Sequence, residues 1–376
     1  MTQPPDVSAR IDALANRLAA PPEWRRAMHQ APRHLFLPES ILAGPPGGPD
    51  GHIDHTQDPN GWWDAAYSDA AIVTQLDDGA TDISAGAGDY TSSCSAPTVV
   101  IEFLKLLYVH DHQRVLEIGT GTGWTAALLS ARLGADNVIS VEVDATVAKQ
   151  AEMNLHAAGF APHLVVGDGT DGWPEGAPYD RVHVTCGVRD IPYAWVEQTR
   201  PGGIIVLPWS PGIAFGHQVR LDVQRDGTAI GRLTGSAGYM LLRSQRPAAG
   251  ACEGDAATST TAVDPRSIVW DSYGVDAALA GQLPGVLLRE DRRDDGSVIL
   301  WCADADGSWA TAEYQPGAVE FPVIQHGDRC LWDEVEDAYF RWQSWGRPVR
   351  DRFGLTVLPD GQHMWLDSPA NVVVTT

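Results

Sequence analysis

The chain has 376 residues, and 26 Lys and Arg against 49 Asp and Glu give a formal net charge of −23 at pH 7. Such an acidic balance argues against a protein that grips phosphate backbones or docks on anionic membranes, so neither nucleic acid nor membrane is expected as a partner. With 44% hydrophobic and 20% charged residues, the composition is that of a folded globular protein, too long for one typical domain.

The five cysteines, Cys94, Cys186, Cys252, Cys302 and Cys330, form no C-x-x-C pair. Neither a disulfide framework nor a structural zinc site is expected from them. No apolar stretch reaches spanning length, and residues 1–20 lack the basic start and apolar run of a secretion signal. A soluble, cytoplasmic protein is expected, with a monomer favoured.

In chain order, Val7, Ile11, Leu14 and Leu18 recur at helical spacing, with Asp6 or Ser8 available as a cap. Pro21-Pro22 breaks that run, and a second short helix carries Trp24 and Met28. From Gly44 to Asn60 the composition turns to Gly, Pro, Asp and His, which predicts a loop. His52-Ile53-Asp54-His55 lies inside it at the spacing of a metal pair, but no third ligand is near. A solvated loop is expected there, and no metal.

The middle third changes rhythm. Strands are predicted at Arg114–Ile118, Val138–Val143, Leu164–Val166, Arg181–Thr185 and Gly203–Leu207, with helices at about Thr122–Leu133 and Ala145–Ala158. Strands alternating with helices imply an α/β fold with a parallel, doubly wound, Rossmann-like sheet. Gln218–Asp226 and Ile230–Leu242 read as antiparallel additions. Arg246–Pro265, rich in Ala, Gly, Ser and Thr, reads as a linker.

Beyond that linker, Ser297–Ala303 and Trp309–Tyr314 look like paired strands. Asp328–Trp345 reads as an amphipathic helix with Leu331, Val335, Ala338, Tyr339 and Trp342 on one stripe. Phe353–Leu358 and Gln362–Leu366 make a hairpin around Pro359-Asp360-Gly361. The expected organisation is an N-terminal helical and substrate-loop region (1–97), a Rossmann-like core (98–245), the linker (246–265) and an α+β accessory domain (266–376).

The chemistry concentrates at Val115-Leu116-Glu117-Ile118-Gly119-Thr120-Gly121-Thr122-Gly123. A strand ending in G-x-G-x-G and opening a helix lets the backbone approach a ligand closely. A dinucleotide loop places its third glycine one residue later, where Trp124 stands. Glu117 suits an ammonium-bearing ligand better than a pyrophosphate. Glu142, followed by Val143, ends the next strand, where an acid can hold two ribose hydroxyls. Asp168, between Gly167 and Gly169, can accept from an adenine amino group. Together these residues fit S-adenosylmethionine (SAM), leaving S-adenosylhomocysteine as product.

Gly167-Asp168-Gly169-Thr170-Asp171-Gly172-Trp173, followed by Ala177-Pro178-Tyr179-Asp180-Arg181-Val182, resembles the signature of the protein-L-isoaspartate O-methyltransferases. Ala31-Pro32-Arg33, Phe36-Leu37-Pro38, Tyr67-Ser68-Asp69, Ser95-Ala96-Pro97 and Gly202-Gly203 agree with it, and the resemblance runs from about Trp24 to Trp209. It implies a class I methyltransferase fold, SAM as donor and a peptide carboxylate as acceptor.

By the same resemblance, the family's active-site serine maps onto Ser95, with Ala96 where the family has glutamine. Ser95 either orients the acceptor or caps the helix that follows. Tyr67, Ser93, Thr185, Cys186 and Gly187 are expected on the acceptor side. Thr185-Cys186-Gly187 replaces an alanine-rich turn of the family, and Cys186 is read as packing.

The long C-terminal extension looks like that of methyltransferases which tailor ribosomal peptide natural products. That likeness implies methylation of an L-aspartate in a cyclised precursor and formation of a succinimide (aspartimide). Isoaspartate repair in damaged proteins is the alternative, and a non-catalytic SAM-binding recruitment module is the second.

Overall fold

The computed structural model describes residues 6–44, 50–213, 216–247, 256–272 and 274–373. The chain forms two units, Met1–Cys186 with Ala194–Leu207, and Gly187–Tyr193 with Pro208–Thr376.

The first unit opens on α1 (Val7–Arg17) and α2 (Pro22–Gln30). Asp6 is the cap of α1, accepting from Ala9 N–H at 3.0 Å, and Pro22 stands at the first position of α2, where a missing N–H costs nothing. Four short strands follow around a third helix: β1 (Ser40–Ala43), β2 (Gly51–Asp54), α3 (Pro59–Ala66), β3 (Ile72–Leu76) and β4 (Tyr90–Cys94). They pair as an antiparallel sheet in the order β2-β1-β3-β4. The expected loop at 44–60 therefore contains one strand of that sheet, β2, and the start of α3. Ser40 bonds His52 Nε2 at 2.6 Å, and His55 packs on the Trp62 ring, so these histidines serve the sheet and α3. Residues 45–49 of that expected loop lie outside the described residues.

Next come α4 (Pro97–Leu107), β5 (Val115–Ile118), α5 (Trp124–Leu133), β6 (Val138–Glu142), α6 (Ala145–Ala157), β7 (His163–Val166), β8 (Tyr179–Val184), α7 (Tyr193–Glu197) and β9 (Thr199–Trp209). The strands run parallel in the order β7-β6-β5-β8-β9. Every residue of β5 and β6 is buried, as a strand covered on both faces requires. The fold is that of class I SAM-dependent methyltransferases.

The second unit begins earlier than the sequence suggested. β10 (His217–Val223) and β11 (Ala229–Ser236), read as additions to the Rossmann-like core, cluster with the C-terminal unit. The linker reading also needs correction. Residues 257–261 form β12 (Ala257–Thr261), paired with a later strand, because its threonines favour extended backbone although it offers no apolar face. Residues 248–255 of that stretch lie outside the described residues.

The rest comprises α8 (Pro265–Trp270), α9 (Val275–Gln282), β13 (Leu287–Arg292), β14 (Val298–Ala303), β15 (Trp309–Tyr314), β16 (Phe321–His326), α10 (Leu331–Ser344), β17 (Phe353–Leu358) and β18 (Gly361–Leu366). Strands β12-β16-β15-β14-β13 make one antiparallel sheet, and β10-β11-β17-β18 pair antiparallel in that order. The stripe read on α10 is its buried face.

Candidate active site

In a parallel sheet the carboxyl ends of the strands leave a crevice where ligands bind. β5, β6 and β8 bring Gly119–Gly123, Glu142 and Thr185–Cys186 to that edge. Gly119, Gly121 and Gly123 have φ of +92°, +54° and +88°, a region that side-chain-bearing residues avoid. A Cβ on Gly119 would stand 2.7 Å from Thr185 Oγ1, and one on Gly121 would stand 3.5 Å from the Ser93 carbonyl. The turn thus lies between the β8 terminus and the β4 segment that leads to Ser95.

Glu142 staples this turn. Its Oε2 accepts from Gly121 N–H at 2.9 Å and its Oε1 from Asp144 N–H at 3.1 Å. Gly167 N–H donates to the Glu142 carbonyl at 2.9 Å, which joins the ends of β6 and β7. Val143 and Val166 are 41% and 59% exposed beside these carboxylates. Asp168 is exposed, its Oδ1 accepting from Thr170 N–H at 2.9 Å and from the Thr170 hydroxyl. Gly167 has open space where its Cβ would be, while Gly169 is buried and its carbonyl accepts from Trp195 Nε1 at 2.8 Å.

Aliphatic surface flanked by two carboxylates, above a turn with glycine at every second position, suits a nucleoside with a cationic arm. The residues present fit SAM. Burial, and then the charges of Glu142 and Asp168, push the Cys186 thiol up. A thiol so disfavoured as thiolate is no nucleophile at neutral pH.

Four expected site residues have other employment. Glu117 is fully buried and does not open on the crevice. Strand alternation turns it inward, where its Oε2 accepts from Ser140 at 2.6 Å, and Ser140 bonds Thr120 at 2.7 Å. That chain links it to the glycine turn. Thr185 donates its hydroxyl to the Ile118 carbonyl at 2.9 Å and to that of Gly119, so it shapes the turn. Tyr67 is buried, its hydroxyl bonded to His34 Nδ1 at 2.7 Å and its ring parallel to Trp63, and burial pushes its phenol up. Gly187 opens the second unit, bonded to Met240 and Leu242.

Ser95 occupies the connection between β4 and α4. The cap position of α4 is Ala96, and no side chain of the cap residue bonds the helix. Asp69 does that work from a distance, its Oδ1 accepting from Thr98 N–H at 2.8 Å and its Oδ2 from the Thr98 hydroxyl at 2.5 Å. The capping alternative for Ser95 is therefore not what the structure shows. A second residue passed over in the sequence is Arg33, 1% exposed, whose guanidinium reaches the carbonyls of both Cys94 and Ser95. A lone arginine inside the apolar segment around Ala31 and Phe36 was the available signal.

The family model for protein-L-isoaspartate(D-aspartate) O-methyltransferase matches residues 62–246. The chain is 36% identical over 186 residues to the protein-L-isoaspartate O-methyltransferase of Methanoculleus marisnigri, covering 49% of this chain and 68% of that protein. It is 29% identical over 246 residues to protein-L-isoaspartate O-methyltransferase 2 of Archaeoglobus fulgidus, covering 64% of this chain and 95% of that one. The protein of the same description from Thermococcus onnurineus is 43% identical over 116 residues, but the chain spans only 52% of its length. A solved structure described as a protein-L-isoaspartate O-methyltransferase superposes on 96% of this chain and 100% of its own, with a TM-score of 0.55 and 20% identity. That last likeness is one of fold.

Proposed function

The chain belongs to the protein-L-isoaspartate O-methyltransferase family, and from that membership we propose that it esterifies the free carboxylate of isoaspartyl residues in peptides or proteins. As a member it is a SAM-dependent protein carboxyl O-methyltransferase. SAM supplies an electrophilic methyl on a sulfonium.

Glu142 and Asp168 are assigned to the adenosine, and Gly119–Gly123 with Thr120 to the amino-acid arm. The acceptor carboxylate is ionised at neutral pH and is itself the nucleophile. Its oxygen takes the methyl as the carbon–sulfur bond breaks, and S-adenosylhomocysteine leaves. No general base is needed; what matters is alignment. Ser95 is assigned to hold the acceptor, since a neutral hydroxyl orients an anion without competing for the sulfonium. The neighbouring backbone nitrogen then closes on the ester, expelling methanol and leaving a succinimide.

The observation that supports this reading is the placement of the segment leading to Ser95, whose Ser93 carbonyl lies against the glycine turn, with Ala96 rather than Ser95 at the cap position of α4. The C-terminal extension, expected to mark a tailoring enzyme, distinguishes less than anticipated. A solved structure with the isoaspartate description covers almost the whole chain.

A second reading, an L-aspartate side chain in a cyclised ribosomal peptide, is favoured by Ala96 and Cys186, which depart from the family pattern beside the acceptor segment. In that reading the second unit recognises the folded peptide. The test is incubation with SAM and two peptides, one linear and isoaspartyl, the other cyclised with L-Asp. Methylation of the first followed by loss of methanol is expected. Methylation of the cyclised peptide alone overturns the isoaspartyl proposal in favour of the second. Ser95→Ala should lower turnover far more than SAM affinity.

A further inference from the structure

Arg33 is almost wholly buried, yet among the described residues it makes no ion pair. Burying a cation without a counter-charge is costly unless its donors are satisfied. Here five backbone carbonyls do that. Nη1 donates to Ala66 and Ser68 at 3.3 and 3.1 Å, and Nη2 donates to Ala70, Cys94 and Ser95 at 2.8, 3.0 and 3.0 Å. Nε points at Cys94 Sγ at 3.4 Å, and the guanidinium lies over the Trp124 ring, the first residue of α5. Two chain segments, 66–70 and 94–95, are thus tied to one rigid fork. Asp69, from the first segment, is bonded to Thr98 at the start of α4, just past the second.

We infer that Arg33 and Asp69 are positioning residues, a two-point clamp that fixes the Ser95 backbone so that its hydroxyl meets the acceptor carboxylate in line with the methyl donor. The inference rests on the proposed function only for what Ser95 touches; the clamp itself is geometry. Arginine is required because its planar donors spread over two segments, whereas the compact head of lysine satisfies one at a time. A displacement of about 1 Å at a reacting group costs on the order of a hundredfold in rate.

The test is a double-mutant cycle with calorimetry and hydrogen exchange on the full chain. Arg33→Lys should lower kcat by about tenfold to a hundredfold, leaving SAM affinity within about twofold. In the Ser95→Ala background the same substitution should cost no more than about twofold, because the group it positions is gone. Asp69→Asn should show the same non-additivity to a smaller degree. Equal costs of Arg33→Lys in both backgrounds overturn the inference.

Hydrogen exchange reads the clamp independently of any acceptor. Faster exchange confined to 66–70 and 92–98 supports it. Faster exchange that extends through β5 and β6 means that Arg33 merely holds the fold, and also overturns it. Should the wild-type chain methylate neither peptide, the functional proposal fails while the exchange pattern still decides the clamp.

Discussion

Gly119→Ala tests whether the glycine turn is built for a ligand. The φ of +92° at Gly119 costs an alanine roughly 1–2 kcal/mol. The new Cβ would stand 2.7 Å from Thr185 Oγ1, so the threonine must move. That move breaks its bonds to the Ile118 and Gly119 carbonyls, worth about 1 kcal/mol net. Together these amount to roughly 2–3 kcal/mol at the turn, which corresponds to about 30-fold to 150-fold in affinity if it falls wholly on the bound state.

Isothermal calorimetry with SAM measures the affinity, and thermal unfolding reports the share lost to stability. In the Thr185→Ala background those bonds are already gone, so Gly119→Ala adds only the backbone strain. Its cost in SAM affinity should therefore be about fivefold smaller in that background than in the wild-type chain. A Gly119→Ala variant that binds within twofold of wild type, or one whose cost is the same in both backgrounds, would refute this account of the turn.

Two further outcomes follow from groups whose ionisation is displaced. Cys186 should resist iodoacetamide at pH 8 while exposed Cys330 reacts, because burial and two carboxylates push the Cys186 thiol up; equal labelling by mass spectrometry refutes this, and Cys186→Ala should retain most activity. In the second unit, burial pushes Asp276 up to about 6 and His217, 3.5 Å away, down to about 3, with Arg350 the other charge nearby. An acid with a raised folded-state pKa destabilises the fold as it ionises, so the cost grows between pH 3.8 and about 6 and persists above. At about 1.4 kcal/mol per pH unit this approaches roughly 3 kcal/mol. Asp276→Asn should raise the unfolding temperature at pH 8 and lose that advantage near pH 4; destabilisation at pH 8 would show the carboxylate to be held as an ion.

The parallel strands were legible because their signal is local. Val115–Ile118 and Val138–Glu142 are short, mostly apolar runs closed by glycine or aspartate, and such runs announce buried strands. The β2-β1-β3-β4 sheet was not legible. Its strands have four or five residues, and β2 reads Gly-His-Ile-Asp, too short and polar for a period to emerge. The pairing of β11 with β17 joins residues more than a hundred positions apart, which no local pattern encodes.

At the site, the glycines, Glu142 and Asp168 stood out because special backbone and lone acids at strand ends are visible one residue at a time. Glu117 misled for a physical reason. An acid before a glycine turn suggests a ligand, and only the alternation of a doubly covered strand turns it toward Ser140. Arg33 gives no local signal of its role, because its five carbonyl partners come from segments 33 to 62 residues away.

These particulars share a direction. Glu142, Thr185, Asp69 and Arg33 all direct their polar atoms at backbone groups, and Glu117 is tied to the turn through Ser140 and Thr120. None forms the nucleophile–base pair that acyl or phosphoryl transfer to a neutral hydroxyl calls for. Methyl transfer to a carboxylate has no proton to move in its first step. An anion and a cation combine into a neutral ester and a neutral thioether, so charge disappears as the reaction proceeds. A fixed charge at the reacting atoms would stabilise one reactant and be lost at the transition state, slowing the step. A site devoted to holding backbone, with a neutral hydroxyl at its edge, is what that charge balance favours. A net charge of −23 does not conflict with the proposed anionic acceptor: beyond about 8 Å surface charge is screened at physiological salt, and at short range alignment decides.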